Sequence, residues 1–252
     1  MPVASSGPEY DLLGYLDALP GQPLSHRPQE SSAELPAGMA SAFVQLAYPW
    51  VRTAGSADLP QGLAAPDGLL AGLLARSGLE RSAFRSSAGL PVMDVHQLRP
   101  ALRREQIDTL GQRVSLFVQT PGGFQLFSDV TTSLQSAYRQ APVNRLMAIL
   151  VAAARRVGED LLFENSGERL WGQVRDQLRW LLDGFRSAGA LRGASAEQAY
   201  SVRCDRSTMT QNDIDNGRVI AHVRIDPAAT VEAITVVLAL DEGGGASLSM
   251  QR

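Results

Sequence analysis

The sequence predicts an α/β (α+β) fold: a small mixed sheet flanked by helices, followed by an extended C-terminal arm. Three observations predict it. Two apolar runs, Val114 to Thr120 and Phe124 to Val130, are joined by Pro121-Gly122-Gly123, turn chemistry that reverses a chain between antiparallel strands. Two long stretches with apolar residues at helical spacing follow, at about 142 to 160 and 166 to 188. Three strand candidates come last: Ala199 to Asp205, Arg218 to Asp226 and Thr230 to Leu240. At 252 residues the chain has the length of one large domain or two small ones, and its 44% hydrophobic content is enough for a core, which argues against global disorder.

Three regions are read along the chain. Residues 1–39 form a Pro-rich N-terminal segment, because six of the 14 prolines fall before Met39. Residues 40–240 form the core domain, and residues 241–252 a flexible arm. Within the first region Tyr10 to Leu19 reads as a short helix. Ala40 to Arg52, ending in Tyr48-Pro49-Trp50, reads as a buried or edge strand. Asp67 to Ser77 opens on a cap residue, carries Leu69, Leu70, Leu73 and Leu74, and stops at Gly78, a short helix with an apolar face.

After the hairpin, Pro142 suits the first turn of a helix that gathers Val143, Leu146, Ile149, Leu150, Ala153 and Val157 on one side, with Arg145, Arg155 and Arg156 away from it. The next helix is read from a capping-box-like Asn165 and Glu168 to a closing Gly189. Leu170, Trp171, Val174, Leu178, Leu181, Leu182 and Phe185 make its apolar stripe. Trp180 projects about 140° from the centre of that stripe, on the side of Asp176 and Asp183. Such a tryptophan either packs laterally under a loop or meets another chain.

In the strand region Val219, Ala221, Val223 and Ile225 alternate against their other face, and 206–217 is a turn-bearing connection ending in Asn216-Gly217. Beyond Leu240, Asp241-Glu242-Gly243-Gly244-Gly245 reads as a hinge, centred on Gly243, Gly244 and Gly245. Ala246-Ser247-Leu248-Ser249-Met250 then alternates strictly. It is either a disordered tail or an arm whose Ala246, Leu248 and Met250 add a strand to a neighbour's open sheet.

Little in the sequence points to chemistry. The 23 basic residues against 26 acidic ones leave a net charge of −3, with no basic excess to neutralise a phosphate backbone, so no nucleic-acid partner is expected. Every basic residue is Arg, which removes Schiff-base and P-loop lysine mechanisms. Cys204 is the single cysteine and can close no internal disulfide, which fits a reducing compartment and cytoplasmic synthesis. The N-terminus lacks a signal-peptide pattern, and the most apolar run, Val231 to Leu240, is about half a bilayer span, so no membrane insertion is expected.

His26, His96 and His222 lie apart and near no G-x-S-x-G elbow, so no catalytic residue is assigned. No His or Cys pair has ligand spacing, and Asn212-Asp213-Ile214-Asp215 lacks the rest of a calcium loop; no metal or cofactor is expected. Cys204 shares a strand face with Tyr200 and Val202 and reads as a small buried hydrophobe. The remaining enzymatic alternative, an uncharacterised hydrolase with its site on the 206–217 loop, has no nucleophile and base to support it.

A set of short motifs does carry a resemblance. They are Ala47-Tyr48-Pro49-Trp50, the Ala64-Ala65-Pro66-Asp67-Gly68 turn before Ala71-Gly72-Leu73-Leu74-Ala75-Arg76, and Val143-Asn144-Arg145-Leu146. Further along come Phe163-Glu164-Asn165, Leu170-Trp171, Gly189-Ala190-Leu191-Arg192-Gly193, Tyr200 to Asp205, and Asn212-Asp213-Ile214-Asp215-Asn216-Gly217. In this order and spacing, over about residues 40 to 240, the chain resembles the C-terminal region of the tail sheath proteins of contractile phages and related contractile injection systems. It departs from the family where Leu126-Phe127-Ser128-Asp129-Val130-Thr131 replaces a tryptophan-glycine-arginine-threonine stretch, and where Leu79 to Gly89 replaces an aromatic, proline-containing run. Family members are also usually longer, with an N-terminal arm and further domains.

The resemblance implies a mechanical function. Subunits joined by heterologous contacts build a helical tube, and contraction of that lattice drives an inner tube through a target envelope with no nucleotide hydrolysed by this chain. The implied partners are copies of itself, an inner tube protein, and baseplate and cap proteins, within a phage tail or tail-like particle. A shortened cap or baseplate-proximal subunit is the alternative within the same class.

Overall fold

A computed structural model describes residues 40–160, 167–228, 234–240 and 246–251. The Tyr10 to Leu19 helix, Asn165 and the hinge glycines Gly243, Gly244 and Gly245 lie outside the described residues. The chain divides into two compact units, Met1–Asn144 and Arg145–Arg252. The sequence reading drew one core over 40–240; the division falls inside its first long helix.

In the first unit the segment read as one strand is split at Pro49, which cannot donate to a ladder. β1 (Ala47–Tyr48) runs parallel to β5 (Ser115–Thr120), whereas β2 (Trp50–Thr53) pairs antiparallel with β4 (Val95–Arg99). The hairpin forms where the turn chemistry placed it, between β5 and β6 (Gly123–Leu126), in the register Val118 to Gln125. β3 (Pro91–Val92) completes a mixed sheet of order β1-β5-β6-β3.

β5 reads as a continuous apolar run because both its faces are covered. Phe117 joins Val51, Leu70, Leu73, Val92, Val95 and Leu126 on one side, while Val114 and Leu116 pack with Ile107 and Leu110 on the other. α1 (Asp67–Glu80) supplies Leu70 and Leu73. Asp67 is its first residue rather than its cap, and the helix continues through Gly78. A mid-helix glycine costs about 1 kcal/mol, too little to stop a helix anchored by those leucines and by buried Ser77. It ends where the Arg81 amide donates to the Ser77 carbonyl at 2.9 Å. α2 (Arg104–Leu110), β3 and β4 had no counterpart in the sequence reading.

The second hairpin run leaves the ladder after Leu126, four residues before its expected end. Beyond it, serine and threonine hydroxyls replace the main-chain pairing. Ser128 Oγ accepts from the Leu116 amide (3.0 Å) and donates to the Val114 carbonyl (2.7 Å); Ser115 Oγ donates to the Val130 carbonyl (3.1 Å). The Asp129 carboxylate accepts from the Ser87 amide at 2.9 Å and from Gln45 Nε2 at 3.0 Å. Ser87, Ser115, Ser128 and Asp129 are buried, so their bonds also avoid the desolvation cost of an unpaired polar atom.

α3 (Ala141–Asp160) begins in the first unit, where the Ala141 amide donates to the Asp129 carbonyl and Asn144 Nδ2 to the Tyr138 carbonyl at 2.7 Å. Along the expected stripe Val143, Leu146 and Leu150 are buried, and Met147 and Ala154 join them, while Arg155 and Arg156 are exposed.

In the second unit α4 (Glu168–Ser187) buries Leu170, Trp171, Val174, Leu178 and Leu182. Gly167 holds its N-cap position, so Glu168 is the first helical residue and not the third residue of a box begun by Asn165. The far end closes as expected at Gly189, whose φ of 77° suits a residue without a Cβ. Four strands make an antiparallel sheet of order β10-β9-β8-β7: β7 (Tyr200–Arg203), β8 (Val219–Ile225), β9 (Ile234–Leu240) and β10 (Ala246–Gln251). The expected alternation of β8 holds: Val219, Ala221, Val223 and Ile225 are buried, opposite Leu240, Leu238, Val236 and Ile234. The 206–217 connection contains a 3-10 turn, Arg206–Thr208, and the short helix α5 (Gln211–Asp215).

Candidate assembly surface

The later motifs that carry the resemblance lie about the second unit's sheet. In Gly189-Ala190-Leu191-Arg192-Gly193, the first glycine turns the chain out of α4 and buries Ala190 and Leu191. Arg192 then reaches the far end of β8. Its Nη2 and Nε lie 2.8 and 3.3 Å from the two carboxylate oxygens of Asp226, and its amide donates to the Asp226 carbonyl at 2.7 Å. That fork adds direction as well as charge. Gly193 has φ 146°, and a Cβ there would lie 2.7 Å from the Ala199 nitrogen, so only glycine fits.

Tyr200, opposite Ile225, donates its hydroxyl to the Arg179 carbonyl of α4 at 3.2 Å, which places α4 over the buried face of the sheet. Burial and the nearby Asp183 carboxylate raise the Tyr200 pKa. Cys204 is buried as expected, and that burial pushes its thiol up to about 12, which leaves no thiolate near neutral pH.

The 206–217 connection is occupied with its own caps. Thr210 Oγ1 donates to Asp213 Oδ2 at 2.6 Å and accepts from the Asp213 amide at 3.2 Å; the Arg218 amide donates to the Asp213 carbonyl. Hydrogen bonds from Thr210 hold the Asp213 carboxyl below its ordinary range, and those from Ser207 do the same for Asp205. Both carboxylates are thereby set as structural acceptors. His96 is exposed on β4 of the first unit and His222 half-buried on β8 of the second. Among the described residues no group of three or more His, Cys, Asp and Glu side chains could hold a metal ion, and no helix is long and apolar enough to cross a membrane.

Two features face outward. Trp180 is 81% exposed on α4, away from the stripe, as its helical phase required. The flanking pairs Arg175–Asp176 (3.2 Å) and Arg186–Asp183 (2.9 Å) are surface ion pairs that contribute little to stability. The second feature is the sheet border at β10. Its strand character is as expected, but within the chain it does not stand free: it pairs antiparallel with β9, setting Ala246, Leu248 and Met250 opposite Leu240, Leu238 and Val236. Directly opposite residues share a face, so these three positions extend the apolar side of the sheet. β10 has β9 on one side and is the last strand of the sheet on the other.

Sequence reasoning missed two things here. Arg192 and Asp226 fasten the sheet from 34 residues apart, a pairing that no local spacing reveals. Phe43, Leu79 and Met93 of the first unit are 75%, 90% and 70% exposed, Phe43 within the segment read as a buried or edge strand.

No family model matches the chain. The tail sheath protein of Enterobacteria phage T4 is 28% identical to it over 173 residues, covering 66% of this chain and 25% of that protein. Among solved structures, a chain of the anti-feeding prophage baseplate superposes with a TM-score of 0.68 at 26% identity, over 77% of this chain and 53% of that one. The fold is a contractile tail sheath fold. A chain of the anti-feeding prophage helical sheath in its contracted state gives the same TM-score at 25% identity, over 80% of this chain and 57% of that one. The sheath resemblance read from the motifs is borne out, and with it the fold of mixed helices and small sheets. The sheath-like chain spans about a quarter of the length of the curated relatives it matches.

Proposed function

We propose that this chain is a structural subunit of a contractile tail sheath, corresponding to the C-terminal region of longer sheath proteins. It polymerises helically around an inner tube, and contraction of the lattice drives that tube through a target envelope. The observation that carries this reading is the agreement between fold and motif order. The residues that gave the resemblance, from Gly189-Ala190-Leu191-Arg192-Gly193 to Asn216-Gly217, fasten the sheet whose last strand lies at its border. On this reading the chain is not an enzyme, and its partners are copies of itself, the inner tube, and baseplate and cap proteins. It is made and assembled in the cytoplasm as part of a phage tail or tail-like particle.

Ala246, Leu248 and Met250 are the contact positions of the arm, Gly243, Gly244 and Gly245 its hinge, and Trp180 a further subunit contact. The working division is a Pro-rich segment 1–39, a core 40–240 and an arm 241–252. Identical subunits joined head to tail with a rotation that does not close give a helix rather than a ring. A main-chain pairing on a short tether keeps neighbours linked while the bodies rotate.

The test is negative-stain microscopy of the purified chain, alone and mixed with the products of its neighbouring genes. Tubes or stacked rings formed by the chain support the sheath reading. Incorporation only at the end of a tail assembled from other subunits supports a second reading, a cap or baseplate-proximal subunit, which the likeness to a chain of the anti-feeding prophage baseplate favours. Monodisperse particles under every condition overturn both.

A further inference from the structure

The 206–217 connection ends in a dipeptide whose own chemistry the assembly reading leaves unused. Of the four asparagines, Asn144, Asn165, Asn212 and Asn216, only Asn216 is followed by glycine. An asparagine amide is thermolabile because the nitrogen of the next residue can attack it, and a glycine there brings no side chain to hinder the approach. Asn216 is exposed, so water reaches it. The fold engages both reacting groups elsewhere. Asn216 ends α5 with φ −97° and ψ 14°. Its Nδ2, the group that would leave, donates to the Asn212 carbonyl at 2.7 Å and to Asn212 Oδ1 at 3.1 Å. The Gly217 nitrogen, which would attack, spends its N–H on the Ile214 carbonyl at 3.0 Å. All three bonds must break before the two groups can meet. They close the last turn of a five-residue helix, and helix ends are where local opening is easiest.

We propose that Asn216 is a site of spontaneous covalent modification gated by the last turn of α5. When the turn opens, the Gly217 nitrogen bonds to Asn216 Cγ and gives up its proton, and Nδ2 leaves with that proton as ammonia, closing a cyclic imide. Water then adds across either of the ring's two carbon–nitrogen bonds, leaving an aspartate or an isoaspartate at 216. Water is the only other reactant. The product does not restore the turn. A carboxylate at 216 has no N–H to donate, and it would meet the Asn212 carbonyl and Oδ1, both acceptors, in a segment that already carries Asp213 and Asp215. An isoaspartate also inserts a methylene into the main chain just before Gly217 and Arg218, whose amide donates to the Asp213 carbonyl at 2.8 Å. β8 begins at the next residue, Val219, and lies between β7 and β9, so the damage is delivered to an interior strand of the sheet. The change runs one way: opening permits it, and it keeps the turn open.

The test follows conversion of amide to acid by peptide mass spectrometry, on the full chain held folded and held unfolded in urea. Asn144, followed by Arg145, is the internal reference. Conversion at Asn216 is expected to outrun that at Asn144 in the unfolded chain and to be slower by about tenfold or more in the folded one. Thr210→Ala removes the hydroxyl that caps α5 through Asp213 and is expected to raise the folded-state rate about fivefold. Thr210→Ser keeps a capping hydroxyl and is expected to keep the slow rate. Asn212→Ala leaves that cap intact and removes only the longer of the two contacts to Nδ2, for an expected rise of about twofold; it carries the test where loss of the cap unfolds the chain.

Faster conversion at Asn216 on unfolding, together with acceleration by Thr210→Ala or Asn212→Ala, supports the gated site. Equal rates in the folded and unfolded chain overturn the gate. No conversion at Asn216 in the unfolded chain overturns the site itself. A folded-state rate that neither Thr210→Ala nor Asn212→Ala changes overturns the assignment of the gate to α5. None of these outcomes depends on whether the chain polymerises, so the proposal stands or falls apart from the sheath reading.

Discussion

Gly193 illustrates how one residue can carry a fold's identity without touching a partner. Its φ of 146° lies where side chains are strained, and the space a Cβ needs is filled by the backbone of Ala199, at 2.7 Å from the nitrogen and 3.0 Å from the Cα. Neither obstacle is a flexible side chain that can swing aside. Gly193→Ala is therefore expected to destabilise the second unit by about 3 kcal/mol, the sum of backbone strain and overpacking. Chemical denaturation followed at the sheet checks it, and a loss under about 0.5 kcal/mol would show that the turn re-forms elsewhere. The contrast with Gly72 is informative. It belongs to the quoted Ala71 to Arg76 motif, yet among the described residues nothing lies within 4 Å of a Cβ built there, so they give that glycine no steric reason.

At the scale of an element, α4 has one face whose role is settled by packing and one that packing leaves unexplained. Leu170, Trp171, Val174, Leu178 and Leu182 are buried, whereas Trp180 holds its indole in water. Truncating an exposed side chain removes almost nothing from the core, so Trp180→Ala is expected to leave the melting temperature within about 1–2 °C while weakening self-association by about tenfold or more, as at interface hot spots. Sedimentation and thermal melts on the same samples separate the two effects; a lower melting temperature with unchanged association returns Trp180 to ordinary packing.

Elements with strong periodicity were legible in the sequence for the same reason. The stripe of α4, the alternation of β8 and the Pro-Gly-Gly reversal between β5 and β6 each encode a neighbour through local spacing. β3, β4 and α2 were not legible, because strands of two and five residues and a seven-residue helix hold their shape through contacts distant in sequence. The stretch from Phe127 to Val130 was misread as strand, since there the hydroxyls of Ser115 and Ser128 do work that a ladder of amides does elsewhere. The arm was legible as a strand but its place was not: alternation specifies a face, and nothing in local spacing names the β9 edge that receives it.

For the whole molecule the decisive feature is that the chain carries two compact units, with the division inside α3. The first has a core of its own, in which Val51, Leu70, Leu73, Val92, Val95, Phe117 and Leu126 all come from residues before Asn144. In the second, the fully buried Leu178 of α4 and Val223 and Val236 of the sheet come from after it. Leu126→Ala is expected to cost about 2–5 kcal/mol, as does Leu178→Ala, each by cavity formation. Hydrogen exchange separates the two. Leu126→Ala should lower the protection of β5 and β6 and leave β8 and β9 within about 0.5 kcal/mol of their original values, and Leu178→Ala should do the reverse. Equal loss of protection in both sheets from either substitution would mean that the units open as one.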